Sequence, residues 1–289
     1  MVDLQPDQLR TLDAIATAGT FEAAAQQLGV TPSAISQRMR ALEAAVGQVL
    51  VRRGRPATLT APGEVLVRHA RRLALQHAEV LAELDLAEGE APELTLVITG
   101  DALTTWALPV LAEASAWARL EILREDQDHS IDLLRDGKAV ATITSVAEAV
   151  PGCRSTRLGR MRYRPFASPA FVERWFPDGP TAAALAAAPV LVFDRKDDLQ
   201  DRYLGGRAGG PRHHVPASHE FLRAVELGMG WGMLPDLQSR EPEAAGLLVG
   251  FDDAASLTVP QYWQQWRLHS PTLDRVATAV REAAATHLR

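Results

Sequence analysis

The sequence has little cysteine, little lysine and no long apolar run. Cys153 is the only cysteine, which excludes an internal disulfide framework and is typical of proteins in a reducing cytoplasm, the location we expect. Lys138 and Lys196 are the only lysines, so nearly all positive charge is on arginine. The longest apolar run, residues 182–193, contains Pro189 and is too short to span a bilayer, so we expect no membrane insertion.

Charge is unevenly distributed along the 289 residues. Residues 30–72 carry eight arginines and two glutamates, a net charge of +6, whereas the whole chain carries −6, which leaves −12 for the remainder. A basic segment on an acidic protein is typical of nucleic-acid contact. The length allows two or three domains, and the first ten residues have no apolar core, so no secretory leader is expected.

The basic segment contains a helix with two different faces. Apolar residues recur there at spacings of four, three and four: Ile35, Met39, Leu42 and Val46. Hydrogen-bonding side chains lie on the opposite side: Ser33, Ser36, Gln37 and Arg40. Such a helix buries one face and can reach base edges and phosphates in the DNA major groove with the other. We therefore predict a helix-turn-helix; the alternative is a helical bundle without a DNA partner.

Capping residues predict three helices followed by a two-stranded wing. The helices are delimited by Thr20, Thr31 and Pro32 at their starts and by Gly19, Gly29 and Gly47 at their ends. Strands at residues 49–51 and 58–60 flank a basic tip that can touch the DNA backbone. The predicted DNA-binding residues are Thr31, Ser33, Ser36, Gln37, Arg38, Arg40, Arg52, Arg53 and Arg55.

A long helix is predicted from about residue 62 to about residue 86, because no glycine or proline follows Gly63. Residues on one side alternate at spacings of four and three, as in a helix pair: Leu66, Ala70, Leu73, His77, Val80 and Leu84. Paired helix-turn-helix units read half-sites about one DNA turn apart. We predict homodimerisation through residues 62–86, with packing of this seam on its own chain as the alternative.

The pattern changes after an acidic linker at residues 87–93. Strands are predicted at residues 94–99, 120–123, 139–144, 190–193, 231–234 and 258–267, with helices between them. This predicts two α/β lobes with a cleft between them, the chain crossing near residues 162–167. The expected domains are a winged helix-turn-helix (1–60), a linker helix and hinge (61–93) and an effector-binding domain (94–289). Its lobe I comprises residues 94–162 and 268–289, and its lobe II residues 163–267.

Over essentially its whole length the chain resembles the LysR-type transcriptional regulators. The amino-terminal motifs are Phe21-x-x-Ala24-Ala25-x-x-Leu28, Ser33-Ala34-Ile35-Ser36-Gln37-Arg38, Leu42-Glu43-x-x-x-Gly47 and Leu59-Thr60-x-x-Gly63. The effector half resembles the ArgP/LysG subgroup, regulators of basic amino acid export. The matching segments are residues 101–109 (DALTTWALP), 193–198 (FDRKDD) and 233–237 (MLPDL).

The resemblance implies an all-α winged helix-turn-helix with a long linker helix, followed by a two-lobed α/β domain like the periplasmic binding proteins. It implies a DNA-binding regulator of an exporter gene that holds lysine or arginine between the lobes, without a metal or cofactor. The partners implied are promoter DNA and a second copy of the chain, with a tetramer as the common family assembly. RNA polymerase is a further partner that the family allows.

A basic amino acid has an α-carboxylate, an α-ammonium and a cationic tip. Hydroxyls at helix starts suit the carboxylate, and for this role we select Thr104, Thr105 and Ser218. Carboxylates suit the cations, and the candidates are Asp101, Glu125, Asp126, Asp128, Asp194, Asp197, Asp198 and Glu220. Among these, Asp194 and Asp101 are preferred, and Thr144 is expected to line the floor. Helix capping and solvation are the alternative roles of each carboxylate.

Other chemistries find little support in the residue spacing. His213, His214 and His219 lack a recognisable set of metal ligands, and the glycine-rich residues 205–210 lack the Lys-Ser/Thr of a phosphate-binding loop. Trp263 and Trp266 are expected in the core or between the lobes. Since no nucleophile and base pair emerges, we predict that the chain is not an enzyme. Two alternatives remain: a regulator of a different small ligand, and a DNA-architectural or replication-control factor.

Overall fold

Three helices form the amino-terminal unit of the computed structural model, which describes residues 3–84, 86, 91–124, 127–252 and 254–288. They are α1 (Pro6–Ala18), α2 (Phe21–Gln27) and α3 (Pro32–Val46). The Thr20 and Thr31 hydroxyls accept hydrogen bonds from Ala23 N at 3.1 Å and Ala34 N at 3.2 Å, as the capping pattern predicts. The helices enclose one apolar cluster that includes Leu12, Ile15, Ala24, Ile35, Met39 and Leu42.

The wing is shorter than predicted. Strand β1 (Val51–Arg52) pairs antiparallel with β2 (Thr58–Leu59). Beyond the paired residues one backbone bond continues across the wing, from Thr60 N to Leu50 O at 2.9 Å, and side chains bond to Leu50 N and Val49 O. Glu43 Oε1 accepts a hydrogen bond from Leu50 N at 2.9 Å, and Thr60 Oγ1 donates to Val49 O at 2.7 Å.

The long helix α4 (Ala61–Glu83) begins at its Thr60 cap and ends three residues before the predicted position. The residues of the predicted seam fall into two groups. Leu66 and Ala70 pack within the chain, whereas the residues nearer the end of the helix are exposed: Leu73, His77, Val80 and Leu84. Among the described helices, none combines the length and the apolar character needed to cross a membrane.

Within the described residues, seven strands of the carboxy-terminal half form one mixed sheet of order β10-β6-β11-β5-β3-β4, with β9 paired to β6. The strands are β3 (Glu93–Ile98), β4 (Arg119–Arg124), β5 (Ala141–Thr144), β6 (Cys153–Ala167), β9 (Gly232–Pro235), β10 (Val249–Gly250) and β11 (Leu257–Trp266). Two further strands, β7 (Val190–Val192) and β8 (Arg212–His214), form a separate parallel pair.

The helices of this half cover the sheet. The first is α5 (Gly100–Ala102), which continues through a π-helical turn (Leu103–Ala107) into α6 (Leu108–Ala114). The others are α7 (Gln127–Arg135), α8 (Pro169–Trp175), α9 (Ala182–Ala187), α10 (Leu199–Leu204), α11 (Ser218–Glu226), α12 (Asp236–Ala244) and α13 (Pro271–His287). Trp263 and Trp266 are each 1% exposed and belong to the main core, as expected.

Two long antiparallel strands, β6 and β11, connect the lobes. Their first-lobe portion lies beside β5, which pairs with residues 262–265, and their second-lobe portion lies beside β9 and β10. Residues 262–266 therefore belong to the first lobe, which corrects the predicted lobe II of 163–267. The sequence did not mark this change, because each strand continues without a break from one lobe into the other.

A buried carboxylate fixes the linker helix to the effector half. Glu79 on α4 is 5% exposed and accepts hydrogen bonds from Thr272 N at 3.2 Å, from Thr272 Oγ1 at 2.9 Å and from Ser270 Oγ. Ser270 is the N-cap of α13, where it also accepts a bond from Leu273 N at 3.1 Å. A carboxylate at this position satisfies free N–H groups and complements the helix dipole.

Replacing Glu79 with alanine should lower the free energy of unfolding by about 2–3 kcal/mol, because the buried donors of Ser270 and Thr272 lose a charged acceptor. All six tryptophans lie after residue 100, so their fluorescence in a urea titration reports on this half of the chain. The control is Glu83→Ala, which removes an exposed carboxylate one turn later on the same helix. Equal losses in the two variants would contradict the role of Glu79.

Candidate functional site

A cavity of about 570 Å³ lies between the two lobes. Its volume is within the range of small-molecule sites. The first lobe contributes Thr99, Gly100, Asp101, Arg124 and Ser145. The second lobe contributes the loop after β7, the start of α11, the end of β9 and the middle of β11, including Phe193, Asp194, Lys196, Asp197, Asp198, Ser218, Met233, Pro235 and Gln261.

Asp101 bridges the cleft from the start of the helix after β3. One carboxylate oxygen accepts a hydrogen bond from Ser218 Oγ at 2.8 Å, and the other accepts one from the Tyr163 hydroxyl at 2.7 Å. Burial, reinforced by the negative charge of Asp101, raises the pKa of Tyr163 well above its ordinary value. The Tyr163 hydroxyl therefore stays protonated and donates to Asp101.

Gly100 permits the close approach of the lobes beside Asp101. A Cβ atom at this position would lie 2.7 Å from Ser218 Oγ and 3.8 Å from Arg124 Cδ. Any larger residue would push Ser218 away. The Cδ methylene of Arg124, on the first lobe, also lies near this position, so Arg124 approaches the start of α11.

The loop after β7 places three carboxylates at the cleft. Asp194 Oδ1 accepts hydrogen bonds from Lys196 N at 2.8 Å and from Asp197 N at 3.0 Å. Asp197 accepts from Phe193 N at 2.9 Å and from Leu199 N at 3.0 Å. These bonds shape the loop and orient both side chains.

The electrostatic environment of Asp197 links it to the opposite lobe. Burial, with a further contribution from the negative charge of Asp101, raises the pKa of Asp197 above its usual value of 3.8, although backbone N–H donors oppose the shift. A cation placed between Asp197 and Asp101 would offset the negative charge that contributes to this shift. The cleft therefore favours a positively charged ligand.

The described lining combines acids and bases. The cavity is lined by four carboxylates, Asp101, Asp194, Asp197 and Asp198, and by three cationic side chains, Arg124, Lys196 and Arg202. Arg202 lies 3.7 Å from Asp198, four residues earlier in the chain. Such a mixture suits a ligand that has one carboxylate and more than one cation. Among the residues that the structure describes, no three side chains gather as potential metal ligands.

Two shielded oxygens in the cleft lack hydrogen-bond partners among the described residues: Thr99 Oγ1 and Gln261 Oε1. Buried polar atoms are normally satisfied, so these two oxygens are placed to accept hydrogen bonds from a molecule in the cleft. The sequence analysis missed both residues. Thr99 precedes Gly100 at the end of a strand, a position that could have identified it, whereas Gln261 lies inside β11 without any motif.

The structure brings Asp101, Asp194, Asp198 and Ser218 to the cleft, as predicted, together with Asp197. The prediction for Thr104 and Thr105 is wrong. Their hydroxyls donate to Gly100 O at 2.8 Å and to Asp101 O at 2.6 Å, and their side chains line a separate shallow groove on α6. The helix begins at Gly100, so these threonines lie one turn inside it instead of at its start.

Thr144 and Glu220 also lie away from the cleft. Thr144 is 1% exposed and accepts a hydrogen bond from Val146 N at 3.3 Å, while the next residue, Ser145, faces the cavity. Glu220 is exposed on α11. Glu125 and Asp126 lie outside the described residues, and Asp128 is the second residue of α7.

The outer surface of α3 carries the predicted base-reading residues. Ser33, Gln37 and Arg40 are exposed and Ser36 is half-buried, whereas Ile35, Met39 and Leu42 are buried behind them. Thr31 is exposed and caps the helix. Arg38 behaves differently, because its guanidinium lies 3.2 Å from the carboxylate of Asp7 and so joins α3 to α1.

The wing presents three exposed arginines beside this surface: Arg52, Arg53 and Arg55. The guanidinium of Arg53 lies 5.2 Å from the centroid of the Phe21 ring. This cation–π contact fixes the base of the wing against α2.

Comparison with known proteins decides the family. Residues 6–64 match the model of bacterial regulatory helix-turn-helix proteins of the lysR family, and residues 87–285 match the LysR substrate binding domain. The chain belongs to the LysR family of transcriptional regulators. The family resemblance seen in the sequence motifs is thereby confirmed.

Close relatives of this LysR-family chain are known in sequence and in structure. It is 42% identical over 293 residues to the lysine export transcriptional regulatory protein LysG of Corynebacterium glutamicum, covering 99% of this chain and 100% of that one. The crystal structure of ArgP from Mycobacterium tuberculosis matches with a TM-score of 0.90 and 42% identity, covering 99% of both chains. Full-length LysG from C. glutamicum with bound effector Arg matches with a TM-score of 0.81 and 41% identity, covering 99% and 100%.

These relatives are named as regulators of transcription, in agreement with the prediction that the LysR-family chain is not an enzyme. Its buried thiol is consistent with this conclusion. Burial raises the pKa of Cys153 to about 11, more than the nearby Arg72 and Arg267 lower it. A thiol with such a pKa is a poor nucleophile at neutral pH.

A double-mutant cycle tests the cross-cleft bond of Asp101. Asp101→Ala leaves the buried Tyr163 hydroxyl without an acceptor, so we expect the free energy of unfolding to fall by about 1–3 kcal/mol. In the cycle with Tyr163→Phe, urea unfolding without ligand should give a coupling energy of about 1–2 kcal/mol. The control is Asp101→Ala combined with Tyr203→Phe, which should be additive because Tyr203 donates to Asp252. Additivity in both cycles would refute the bond.

Proposed function

We propose that this LysR-family regulator binds lysine or arginine between its lobes and thereby controls transcription of an amino acid exporter gene. The observation that carries the proposal is the set of four carboxylates from both lobes around one cavity: Asp101, Asp194, Asp197 and Asp198. A relative 42% identical to this chain is named for lysine export, and the structure of LysG with bound Arg supports an amino acid effector.

The distribution of charge suggests how the ligand lies. The guanidinium of Arg124 and the free backbone N–H groups at the start of α11 bind the α-carboxylate, since the Ser218 hydroxyl already donates its one proton to Asp101. The neighbouring carboxylate of Asp101 binds the α-ammonium. The cationic tip then extends toward Asp194 and Asp197 on the opposite loop. An aromatic acid or another anion has no cationic group of its own, so it would be repelled by the same carboxylates.

The DNA-reading surface is assigned from exposure and position. Ser33, Ser36, Gln37 and Arg40 reach base edges, and Thr31, Arg52, Arg53 and Arg55 contact the backbone. Arg38 positions α3 through Asp7 and contacts DNA with its remaining donors. The division of the chain into residues 1–60, 61–93 and 94–289 is part of the same proposal.

The assembly follows from the exposed end of α4. Leu73, Val80 and Leu84 are 37%, 50% and 60% exposed, and with His77 they form a stripe that a second copy of α4 can cover. We propose a homodimer through residues 62–86 and its pairing into a tetramer on promoter DNA in the cytoplasm. Binding of the ligand closes the cleft and thereby changes the spacing of the helix-turn-helix pairs on the promoter. RNA polymerase responds to this change in the DNA-bound assembly.

Gln37→Ala should weaken binding to the promoter about tenfold relative to non-specific DNA, because the loss falls on a base contact. Arg52→Ala should instead weaken binding to both DNAs and reduce the steepness of the salt dependence by about one unit. Fluorescence anisotropy over a salt series measures both effects. Gln48→Ala, at an exposed glutamine outside α3, serves as the control. An unchanged salt slope for Arg52→Ala would argue against a phosphate contact.

Calorimetry with lysine, arginine and norleucine tests the ligand class, since norleucine has the skeleton of lysine without its terminal ammonium. We expect binding of the two basic amino acids, at least tenfold weaker binding of norleucine, and a similar loss for lysine in Asp194→Asn. Asp178→Asn, an exposed carboxylate outside the cleft, should have no effect. Promoter occupancy and transcription should change when the same amino acids are added. DNA binding that does not change with lysine or arginine would instead support a DNA-architectural factor.

The same titration has a predicted pH dependence. Since burial raises the pKa of Asp197 above 3.8, a proton competes with the cationic ligand at less acidic pH than for an ordinary aspartate. Affinity for lysine should therefore fall, and proton release on binding should rise, as the pH is lowered from neutral toward this pKa. Equal affinity throughout this range would exclude Asp197 as a partner of the cation.

A further inference from the structure

The two strands that connect the lobes share an irregularity at the lobe boundary. Gln261 of β11 pairs with Gly159 of β6, and the next residue, Tyr262, pairs with Arg157, so that Leu158 has no partner in the ladder. Tyr262 is also the first residue of β11 that pairs with β5. The chain passes between the lobes in these two strands, so a rotation of one lobe against the other must bend them here.

The side chain of Gln261 lies at this bulge and faces the cleft. The residue is 4% exposed, and its Oε1 atom is shielded from solvent without a hydrogen-bond partner among the described residues. A buried amide oxygen in this state has a vacant acceptor valence. It destabilises the empty protein and stabilises a complex in which a donor fills it.

The other glutamines of β11 have no such vacancy. Gln264 Oε1 accepts from Val150 N at 3.0 Å, and its Nε2 donates to Val146 O at 2.9 Å and to Glu148 O at 2.8 Å. Gln265 Oε1 accepts from Trp263 Nε1 at 2.6 Å. The strand thus satisfies its glutamines where they serve the first-lobe core and leaves one acceptor vacant at the cleft.

We propose that Gln261 is a specificity-determining residue that accepts a hydrogen bond from an N–H group of the basic amino acid and couples cleft occupancy to the lobe angle. The inference rests on the proposed function. It adds a neutral acceptor on the hinge strand to the carboxylates of the loops. A ligand bonded to Gln261 restrains the bulge itself, whereas a ligand held by Asp194 alone restrains only the second lobe.

The test is Gln261→Met, which keeps the volume and removes the acceptor. We expect lysine and arginine affinity by calorimetry to fall about tenfold, while the urea midpoint of the ligand-free protein stays equal or rises because an unsatisfied oxygen is gone. Small-angle X-ray scattering of the full-length protein measures how far the lobes close at saturating arginine. The change in the scattering curve should be smaller in Gln261→Met than in the wild type.

The matched control is Gln264→Met on the same strand, which breaks three hydrogen bonds of the core. It should lower the urea midpoint while ligand affinity under native conditions stays within about twofold of the wild type. Unchanged affinity and closure in Gln261→Met would overturn the proposal, and so would a loss of stability like that of Gln264→Met. Failure of the wild type to bind either amino acid would refute the proposed function and, with it, this inference.

Discussion

The contact on which the effector half depends is the pair of hydrogen bonds from Ser218 and Tyr163 to Asp101. They cross the cleft and set its width, because one carboxylate of the first lobe accepts from two elements of the second. Gly100 makes this possible by leaving room for Ser218. The charge of the same carboxylate contributes to the raised pKa of Asp197, so the cleft is closed by hydrogen bonds and still favours a cation. The proposed ligand site and the lobe contact therefore share one residue.

The linker helix connects this lobe contact to the DNA-reading surface. Arg71 on α4 lies 2.6 Å from the carboxylate of Asp13 on α1, and the Arg72 guanidinium lies 5.0 Å from the Trp266 ring. Glu79 adds the bonds to the start of α13. The amino-terminal unit, α4 and the first lobe are thus joined by buried or half-buried contacts, and the second lobe is joined to them through the bulge and Asp101.

Prediction from the sequence succeeded where the signal was local and failed where a boundary depended on distant partners. The caps Thr20 and Thr31 each bond to an N–H three residues away, so their role follows from spacing. Thr104 and Thr105 were placed at a helix start, but the helix begins four residues earlier, where Gly100 meets a residue far along the chain. The lobe boundary was misplaced since β6 and β11 are continuous strands, and only their pairing with β5, β9 and β10 divides them.

The amino-acid sequence by itself determined the family, the helix-turn-helix with its two faces, the two-lobed class of the effector half and the aspartates after two strands. These depend on periodicity, capping and short motifs, which act over a few residues. Tertiary structure decided which polar groups meet. Asp101 meets partners 62 and 117 residues away along the chain, whereas the side-chain oxygen of Gln261, at the lobe boundary, has no partner among the described residues. Such pairs arise from the closure of long loops around a common core, and no local pattern records which donor will face which acceptor.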